Sequence, residues 1–364
     1  MYVDTLAVKN FRNYSEEEII FDKGINILYG DNAQGKTNIL EAIYMAATSR
    51  SHRNSKDRDI IKNDSDESHI RLKFVKNDIS DRIDVHLRKQ GNKGVAINGI
   101  PIKRTSELYG FINVILFSPE DLSIIKSGPA ERRKFMDNSL CQTSRIYNSD
   151  LVNYHKVLNQ RNNLLRDIYF DNRLTETLDV WDMQLVSYGK NIIRERKRFI
   201  DELNVIIKDI HGSLTEGREK IEIKYEPNAG EDDFEEIIQK KRQADLKAQT
   251  TTSGPHRDEI VIYINGMDSR VYGSQGQQRT AALSLKLSEI ESVKNIINDN
   301  PVLLLDDVMS ELDSKRREAL LSVRNDIQTI ITCTGYDDFI REQMNINRLF
   351  EVKEGNVKVK NDHF

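Results

Sequence analysis

An eight-residue loop near the start of the chain has the residue types and spacing of a phosphate-binding loop. It comprises Gly30, Asp31, Asn32, Ala33, Gln34, Gly35, Lys36 and Thr37, which match Gly-x-x-x-x-Gly-Lys-Thr in full. The two glycines let the backbone curl so that its N–H groups point at phosphate oxygens, and the following helix adds its positive N-terminal end. Lys36 supplies a point charge for the β- and γ-phosphates, and the Thr37 hydroxyl supplies a Mg²⁺ ligand. The loop therefore predicts a site for a nucleoside triphosphate, namely ATP with Mg²⁺.

An apolar strand that ends in two carboxylates forms a second motif, at residues 303–307 (Leu-Leu-Leu-Asp-Asp). Acidic groups at the carboxyl edge of a sheet suit a Mg²⁺ ion. We expect Asp306 to support the metal, directly or through water. Asp307 is expected to lie toward the γ-phosphate, where a carboxylate polarises an attacking water; with Lys36 it is the catalytic candidate. The alternative is a strand that runs into an exposed acidic turn.

A third motif, residues 273–279 (Gly-Ser-Gln-Gly-Gln-Gln-Arg), lies directly before an amphipathic helix. Ser274 is a good N-cap residue, and with Gly276 it leaves backbone N–H groups that can receive an anion. The segment resembles the signature of ABC-type ATPases, with Gln275 in place of the first of two usual glycines. The resemblance implies that Ser274, Gly276 and Gln277 close over a nucleotide held by a second subunit, so that two ATP molecules lie within a dimer. The alternative is a helix cap beside a polar loop.

Two further segments have counterparts in the same superfamily. Residues 310–313 (Ser-Glu-Leu-Asp) resemble the D-loop, which crosses the dimer interface. Thr332 stands where that superfamily often places a switch histidine. A threonine can hydrogen-bond a phosphate or a water but cannot act as a cationic partner, which predicts slow hydrolysis.

The elements that position these motifs indicate an α/β fold. Short buried strands are expected at residues 6–8 and 24–29, with a helix over residues 38–47. Residues 302–305 and 329–331 are apolar runs typical of parallel sheets. Alternating residues predict further strands at 70–74 and 83–87, hairpins at 95–100 and 260–266, and an amphipathic helix over 281–297. Between about residues 129 and 245 glycine and proline are sparse, which predicts several long helices, interrupted by a loop at 226–230.

Composition sets broad limits. The 364 residues are 38% apolar and 31% charged, with a net charge of −4, so nucleic acid could bind only through a local basic surface. The two cysteines, Cys141 and Cys333, do not form a disulfide framework or a zinc knuckle. We see no signal peptide and no stretch long enough to span a bilayer, so we expect a cytoplasmic protein that binds no membrane.

Several segments together resemble the RecF family of bacterial recombination mediators. They are residues 11–14 (Phe-Arg-Asn-Tyr), 117–122 (Phe-Ser-Pro-Glu-Asp-Leu), 131–137 (Glu-Arg-Arg-Lys-Phe-Met-Asp), 254–258 (Gly-Pro-His-Arg-Asp), 274–279 and 305–307. The resemblance implies a P-loop ABC-type ATPase head of the SMC/Rad50 kind, two-lobed with mixed sheets, and an inserted helical arm instead of a long coiled coil. Residues 1–128 and 249–364 would form the head, and residues 129–248 the arm.

The same resemblance implies a function in recombinational repair, replication-fork maintenance and SOS induction. Such proteins bind DNA in an ATP-dependent manner, as a homodimeric clamp on duplex or gapped DNA or on a single/double-strand junction, with a weak ATPase acting chiefly as a switch. The implied partners are RecR, RecO and, indirectly, RecA. Two alternatives remain: the nucleotide-binding subunit of a transporter, and a structural SMC-like ATPase.

Three other positions, Arg12, Glu120 and His256, also stand in segments that resemble functional parts of this superfamily or of its interface. Arg12 stands where Rad50-like heads place a basic residue near the phosphates, or else it is a surface arginine that caps the first strand. Glu120 stands in a turn that resembles the Q-loop but lacks its glutamine. His256 belongs either to a structural network or to the dimer interface.

The candidates for DNA contact are three basic clusters: residues 103–104, 132–134 and 194–198. Lysine and arginine contacts to phosphates would give salt-dependent, largely sequence-independent binding. The alternative for each cluster is a solvated helix face.

Overall fold

The computed structural model describes residues 1–53, 55–322, 326–335 and 346–360. Its strands are β1 (Tyr2–Phe11), β2 (Tyr14–Ile20), β3 (Ile25–Tyr29), β4 (Glu67–Lys76), β5 (Ile79–Arg88), β6 (Gly94–Ile97), β7 (Ile100–Pro101), β8 (Val114–Phe117), β9 (Ile221–Glu226), β10 (Glu259–Ile264), β11 (Met267–Asp268), β12 (Val302–Asp306), β13 (Thr329–Cys333), β14 (Ile346–Lys353) and β15 (Asn356–Lys360). Its helices are α1 (Lys36–Thr48), α2 (Asp57–Ile60), α3 (Leu122–Lys126), α4 (Pro129–Thr143), α5 (Arg145–Phe170), α6 (Leu178–Thr215), α7 (Phe234–Ala248), α8 (Ser269–Tyr272), α9 (Gln275–Ile297) and α10 (Ser314–Ser322).

The chain divides into two compact units. The first comprises residues 1–121 and 293–364, and the second comprises residues 122–292. This division groups residues 249–292 with the helices, whereas the expected division placed them with the two chain ends. The physical reason is a strand pairing: β10 lies antiparallel to β9, from Glu259 opposite Glu226 to Ile264 opposite Ile221.

The first unit contains two sheets. One is antiparallel, in the order β2-β1-β4-β5-β6-β7, and the other has the order β15-β14-β3-β13-β12-β8. In the second sheet β14, β3, β13, β12 and β8 run parallel, and β15 forms an antiparallel hairpin with β14. Because β13 lies between β3 and β12, the carboxyl ends of these three strands meet at one edge of the sheet.

Helix α1 joins the two sheets into one core. Its apolar side chains, among them Ile39, Leu40 and Ile43, are buried, and the helix packs against strands of both sheets. The strands contribute Leu6, Phe74 and similar side chains to the same cluster. This burial of apolar surface is what holds the start of α1, and the loop before it, in a defined place.

The second unit is built on a pair of long helices. Helices α5 and α6, of 26 and 38 residues, pack against each other and are joined by a short turn at Asn172–Thr177. The buried residues of α6 recur every three or four positions, which is the stripe of an amphipathic helix. The small sheet β11-β10-β9 belongs to the same unit.

Most expected elements are confirmed, including the hairpin turns at Asn98-Gly99 and Asn265-Gly266 and the loop after β9. The expectation of helices throughout residues 129–245 is wrong at β9, and β2, β8, β14 and β15 were missed. In β2 a run of three glutamates conceals the alternation of buried and exposed positions. No helix among the described residues is both long and apolar enough to cross a membrane.

Buried arginines hold the second unit together. Arg196, on the apolar stripe of α6, is 2% exposed and donates to Asp258 at 2.9 Å and to Asp137 at 2.8 Å. The Asp258 carboxylate also accepts hydrogen bonds from the Tyr225 hydroxyl and the Asn228 backbone N–H. A buried charge is stable only when it is paired and hydrogen-bonded in this way.

We expect Arg196→Ala to destabilise the protein by about 3–5 kcal/mol, because the substitution leaves the Asp258 carboxylate buried without its cation. Urea unfolding followed by circular dichroism measures the loss. The matched control is Arg194→Ala, since Arg194 is exposed and pairs with Glu231 on the surface; a surface ion pair contributes little to stability, so this variant should unfold close to the parental midpoint. Equal midpoints for the two variants would contradict the structural role of Arg196.

Candidate functional site

The phosphate loop connects β3 to α1, and its two glycines are required by their surroundings. Gly30 has a φ of +152°, and a Cβ there would lie 2.3 Å from the carbonyl oxygen of Val352. Gly35 has a φ of +116°, and a Cβ there would lie 2.6 Å from the Asn13 amide nitrogen and 2.8 Å from the Tyr14 hydroxyl. Because both contacts are too short and side chains are strained at these φ values, no other residue fits.

Two turns from opposite ends of the chain brace this loop. The Asn13 amide, in the turn between β1 and β2, donates to the Gln34 carbonyl at 2.9 Å. In the turn between β14 and β15, the Glu354 N–H donates to the Gln34 side chain and the Gly355 N–H to its carbonyl. Sequence reasoning did not find these contacts, although Asn13 lies within one of the segments that carried the family resemblance.

The lysine of the loop lies against its backbone. Lys36 Nζ donates to the carbonyl oxygens of Gly30 and Asp31 at 2.6 and 2.7 Å. Burial lowers the pKa of Lys36, although the negative charges of Asp307 and Asp306 act in the opposite direction. The cation and the acidic end of β12 therefore lie within electrostatic range of each other.

The start of α1 and the ends of two parallel strands, β12 and β13, meet at the Asp306 carboxylate. Its Oδ1 accepts hydrogen bonds from the hydroxyls of Thr37 and Thr332, each at 2.8 Å. The Thr332 hydroxyl in turn accepts from the Asp307 backbone N–H at 2.9 Å. The structure thus brings together the phosphate loop, both expected acids and the threonine at the switch position; we call this group, Thr37, Asp306, Asp307 and Thr332, the acidic corner.

Asp307 has an unusual backbone conformation. Its φ is +52°, in the left-handed region that aspartate tolerates better than most residues. Its carbonyl accepts from the hydroxyl of Ser310, the first residue of the D-loop-like segment. At the other end of that segment, Asp313 accepts from the Arg316 N–H, as an N-cap does for α10. The D-loop assignment itself stays a prediction.

The donor set of the acidic corner fits a magnesium ion. Mg²⁺ prefers oxygen ligands and is usually held by one or two protein groups together with waters and substrate phosphates. The Thr37 hydroxyl and the Asp306 carboxylate offer such oxygens, and they are within hydrogen-bond distance of each other.

Arg12 makes a buried ion pair at the base of α1. Its guanidinium donates to both carboxylate oxygens of Glu41, at 2.7 and 2.8 Å, and also to Ser55 and to the Asp59 carbonyl. Burial by itself raises the pKa of Glu41, but the hydrogen bonds from Arg12 and Ser51 and the charge of Arg12 outweigh it, so this pKa lies below its usual range. A role for Arg12 near the phosphates stays a prediction; the contacts shown orient the first turns of α1.

Glu41 is a residue that sequence reasoning missed. It is fully buried between the apolar Leu40 and Ala42 on α1. A charged residue at a buried position of an amphipathic helix is the signal that could have found it, because such a residue requires a partner.

A histidine close to the acidic corner was also missed. Burial lowers the pKa of His52, while the charges of Glu41, Asp306 and Glu120 act to raise it. Its ring lies edge-on to Tyr44, with ring centroids 5.7 Å apart. Glu120 itself lies in the turn that follows β8, whose neighbour in the sheet is β12; its role as a nucleotide sensor stays a prediction.

The signature-like segment forms a capping box at the start of α9. The Ser274 hydroxyl accepts from the Gln277 N–H, and the Gln277 side chain accepts from the Ser274 N–H. The Gln277 amide also donates to Glu219 at 3.1 Å. Ser274 and Gly276 are exposed, and these residues lie in the second unit. The helix cap is present, and the N-terminus of α9 is exposed.

His256 belongs to a hydrogen-bonded network. Its Nε2 lies 3.1 Å from the Thr251 carbonyl and its Nδ1 lies 2.7 Å from the Tyr154 hydroxyl, so the Nε2 proton is donated and Nδ1 accepts. Burial lowers the pKa of His256 to about 4, which keeps the ring neutral. These contacts favour the structural interpretation.

Two of the expected DNA-contact clusters are wrong in part. Arg132 is 3% exposed and forms a bidentate pair with Glu259, and Arg133 donates to the Asp258 carbonyl. Arg196 is the buried partner of Asp258. A solvated helix face does not describe Arg132 and Arg196 either, because both are buried and paired with carboxylates of the second unit.

Comparison with known proteins is consistent with the fold. The sequence model of the "RecF/RecN/SMC N terminal domain" family matches residues 2–358. A "DNA replication and repair protein RecF" from Lachnospira eligens is 57% identical over 98% of this chain and 99% of its own. A solved structure of "the recombination mediator protein RecF-ATP in RecFOR pathway" is 37% identical, with a TM-score of 0.93 over 99% of this chain and 97% of that one.

A more distant likeness concerns the fold alone. The Smc head domain from Pyrococcus furiosus is 17% identical, with a TM-score of 0.57 over 99% of this chain and 96% of that one. The expected ABC-type ATPase head fold is thereby confirmed. The family match and the full-length relatives show that the chain belongs to the RecF family of DNA replication and repair proteins, within the RecF/RecN/SMC N-terminal domain group.

Proposed function

We propose that this chain binds ATP with Mg²⁺ on its phosphate loop and uses the bound nucleotide to dimerise on DNA during recombinational repair. Hydrolysis is slow and resets the dimer, so that the ATPase acts as a switch. The DNA is a duplex, a gapped duplex or a single/double-strand junction. The protein works with RecR and RecO, indirectly supports RecA and SOS induction, and acts in the cytoplasm.

The acidic corner is the observation that carries the proposal. A phosphate loop alone indicates nucleotide binding. In this structure the Thr37 hydroxyl of the loop and the Thr332 hydroxyl at the end of β13 both donate to Asp306 Oδ1, so the loop lies beside an acidic group that suits a metal ion. Thr37 and Asp306 would hold a Mg²⁺ ion, which would supply positive charge to offset the negative charge of the phosphates. The relative solved as RecF-ATP supports ATP as the nucleotide.

The roles of the remaining residues follow from their chemistry. Lys36 would place its charge on the β- and γ-phosphates, and Asp307 would orient a water for attack on the γ-phosphate. Thr332 holds Asp306 and the Asp307 backbone in place, and as a neutral group it adds no positive charge to the transition state. Slow turnover is the expected result.

Dimerisation would complete the site. The N-terminal end of α9 is exposed at Ser274 and Gly276, and a helix N-terminus attracts an anion such as a γ-phosphate. Ser274, Gly276 and Gln277 of one subunit would then close over the nucleotide on the phosphate loop of the other. ATP would thus act as part of the interface.

DNA contacts would come from the basic residues that remain on the surface, such as Lys103 and Arg104, which are exposed. Arg194 and Arg198 are exposed as well but are paired with Glu231 and Glu202. Family membership favours this function over the transporter subunit. Co-purification with a membrane permease would favour the transporter instead.

Lys36→Ala should weaken ATP binding by about 10- to 100-fold, because a hydrogen bond to a charged group contributes about 1.5–3 kcal/mol. Isothermal titration calorimetry with ATP and Mg²⁺ measures the change. The control is Lys89→Ala, which removes an exposed lysine that lies outside the phosphate loop, just after β5. Unchanged affinity in the Lys36 variant would show that the phosphate loop is not the nucleotide site.

Asp307→Asn should reduce ATP turnover by about 10²- to 10⁴-fold, the usual contribution of a general base, and should prolong the ATP-bound dimer. Asparagine tolerates the left-handed backbone at this position, so folding and ATP binding should be retained. Phosphate release in single-turnover conditions measures the rate. The control is Thr332→Ser, which keeps the hydroxyl that binds Asp306. Turnover at the parental rate in Asp307→Asn would remove this residue from the chemistry.

Sedimentation velocity with ATP and a gapped duplex tests the proposal as a whole. We expect a monomer without nucleotide, a dimer with ATP, and a faster complex when the duplex is added. Ser274→Arg should abolish the dimer and leave ATP affinity intact, because the bulky cation occupies the interface. Ser274→Thr keeps the helix cap and is the control. A protein that stays monomeric in saturating ATP and does not bind the gapped duplex would refute the proposal.

A further inference from the structure

A cluster of possible metal ligands lies on the antiparallel sheet of the first unit, away from the motifs that carry the proposed function. It consists of Glu67, His69 and His86. His69 and His86 are directly opposite each other on β4 and β5, and the two-residue period of a strand places Glu67 on the same face as His69. All three side chains are exposed or partly exposed, so a metal ion could reach them from solvent.

The distances suit a single small ion. The nitrogen and oxygen atoms lie within 4.8 Å of one another; Glu67 Oε2 is 3.0 Å from His86 Nε2 and 3.9 Å from His69 Nε2. In a tetrahedral zinc site with bonds of about 2.0–2.1 Å, neighbouring ligand atoms are about 3.3–3.4 Å apart. Rotations of side chains would therefore close the cluster around Zn²⁺ without a change in the strands.

The chemistry of the ligands also points to zinc. Two imidazoles and one carboxylate, with water in a fourth position, form a common donor set for this ion. The two histidine rings are stacked, with centroids 4.1 Å apart. In its neutral form each imidazole offers a lone pair on one ring nitrogen.

Some of the surrounding charges oppose the binding of a cation and others favour it. Arg88 lies 3.2 Å from His86 Nδ1 and 3.7 Å from Glu67, and it would have to move when His86 Nε2 binds the metal and Nδ1 takes the proton. Its side chain is 47% exposed and can do so. The groove beside the histidines is acidic overall: Glu16, Glu17, Glu18 and Asp84 outnumber Lys9 and Arg71.

We propose that Glu67, His69 and His86 form a binding site for a divalent transition metal, with Zn²⁺ as the principal ion, that joins β4 to β5. The ion would stabilise the folded first unit, and the stabilisation would grow with the logarithm of the free ion concentration above Kd, because the ion binds the native pairing of the strands and not the unfolded chain.

Titration of metal-stripped full-length protein with ZnCl₂ in a calorimeter tests the proposal, and we expect saturable binding of one ion at this cluster. His69→Ala and His86→Ala should each weaken zinc binding by about 100-fold or more. Loss of a group that only hydrogen-bonds a metal ligand already costs up to about 100-fold in affinity, and these substitutions remove a ligand itself. Arg88→Ala should tighten zinc binding, because a positive charge leaves the site. His155→Ala, which removes an exposed histidine from the other unit, is the control.

A second readout uses Co²⁺, whose visible absorption in the titrated protein reports nitrogen and oxygen ligation. The band should appear in the parental protein and disappear in the double variant His69→Ala/His86→Ala. If zinc gives no saturable binding, or if the double variant binds zinc and cobalt as the parent does, the proposal is wrong.

Discussion

The shared carboxylate oxygen of Asp306 is the contact on which the arrangement of the site depends. Thr37 and Thr332 both donate to Asp306 Oδ1, so the helix after the phosphate loop and two strand ends are tied to one atom. Asp306 is 7% exposed, and a carboxylate so deeply buried requires such donors. The contact arises from the strand order, because β13 separates β3 from β12 and supplies Thr332 at the level of Asp306.

Two turns that are far apart in the chain lie on either side of the phosphate loop. The turn after β1 holds the phosphate loop from one side and the turn between β14 and β15 from the other, both through Gln34. The close approach of Val352 to Gly30 adds a steric constraint. Residues from the first and last parts of the chain are therefore needed to shape one loop.

Buried ion pairs connect the helices and strands of the second unit. Arg132, Arg161 and Arg196 are each buried and each paired with carboxylates from other elements. Such pairs contribute little net stability but are costly to break, so they select one packing of α4, α5 and α6 against the segments that follow. Ser274 belongs to this unit, where Gln277 is linked through Glu219 to His211 on α6. The helical arm and the signature-like segment thus form a continuous structure.

The sequence by itself determined the features that depend on local spacing. The phosphate loop, the strand before it, the helix after it and the acids at the end of β12 all follow from residues near one another in the chain. The capping box at Ser274 does so too, since a hydroxyl and an amide three residues apart meet in any first helical turn.

Tertiary structure alone decided which remote groups meet. Whether Arg196 lies on a solvated face or in a core depends on Asp258, far along the chain, and on the packing that buries both. The same holds for Arg12 with Glu41 and for the position of Thr332 beside Asp306. Among the strands that the sequence did not reveal, β9 is polar on one face and gains its stability from pairing with the distant β10. Local patterns report a residue's neighbours in the chain, whereas the partner of a buried charge or an edge strand is chosen by the fold.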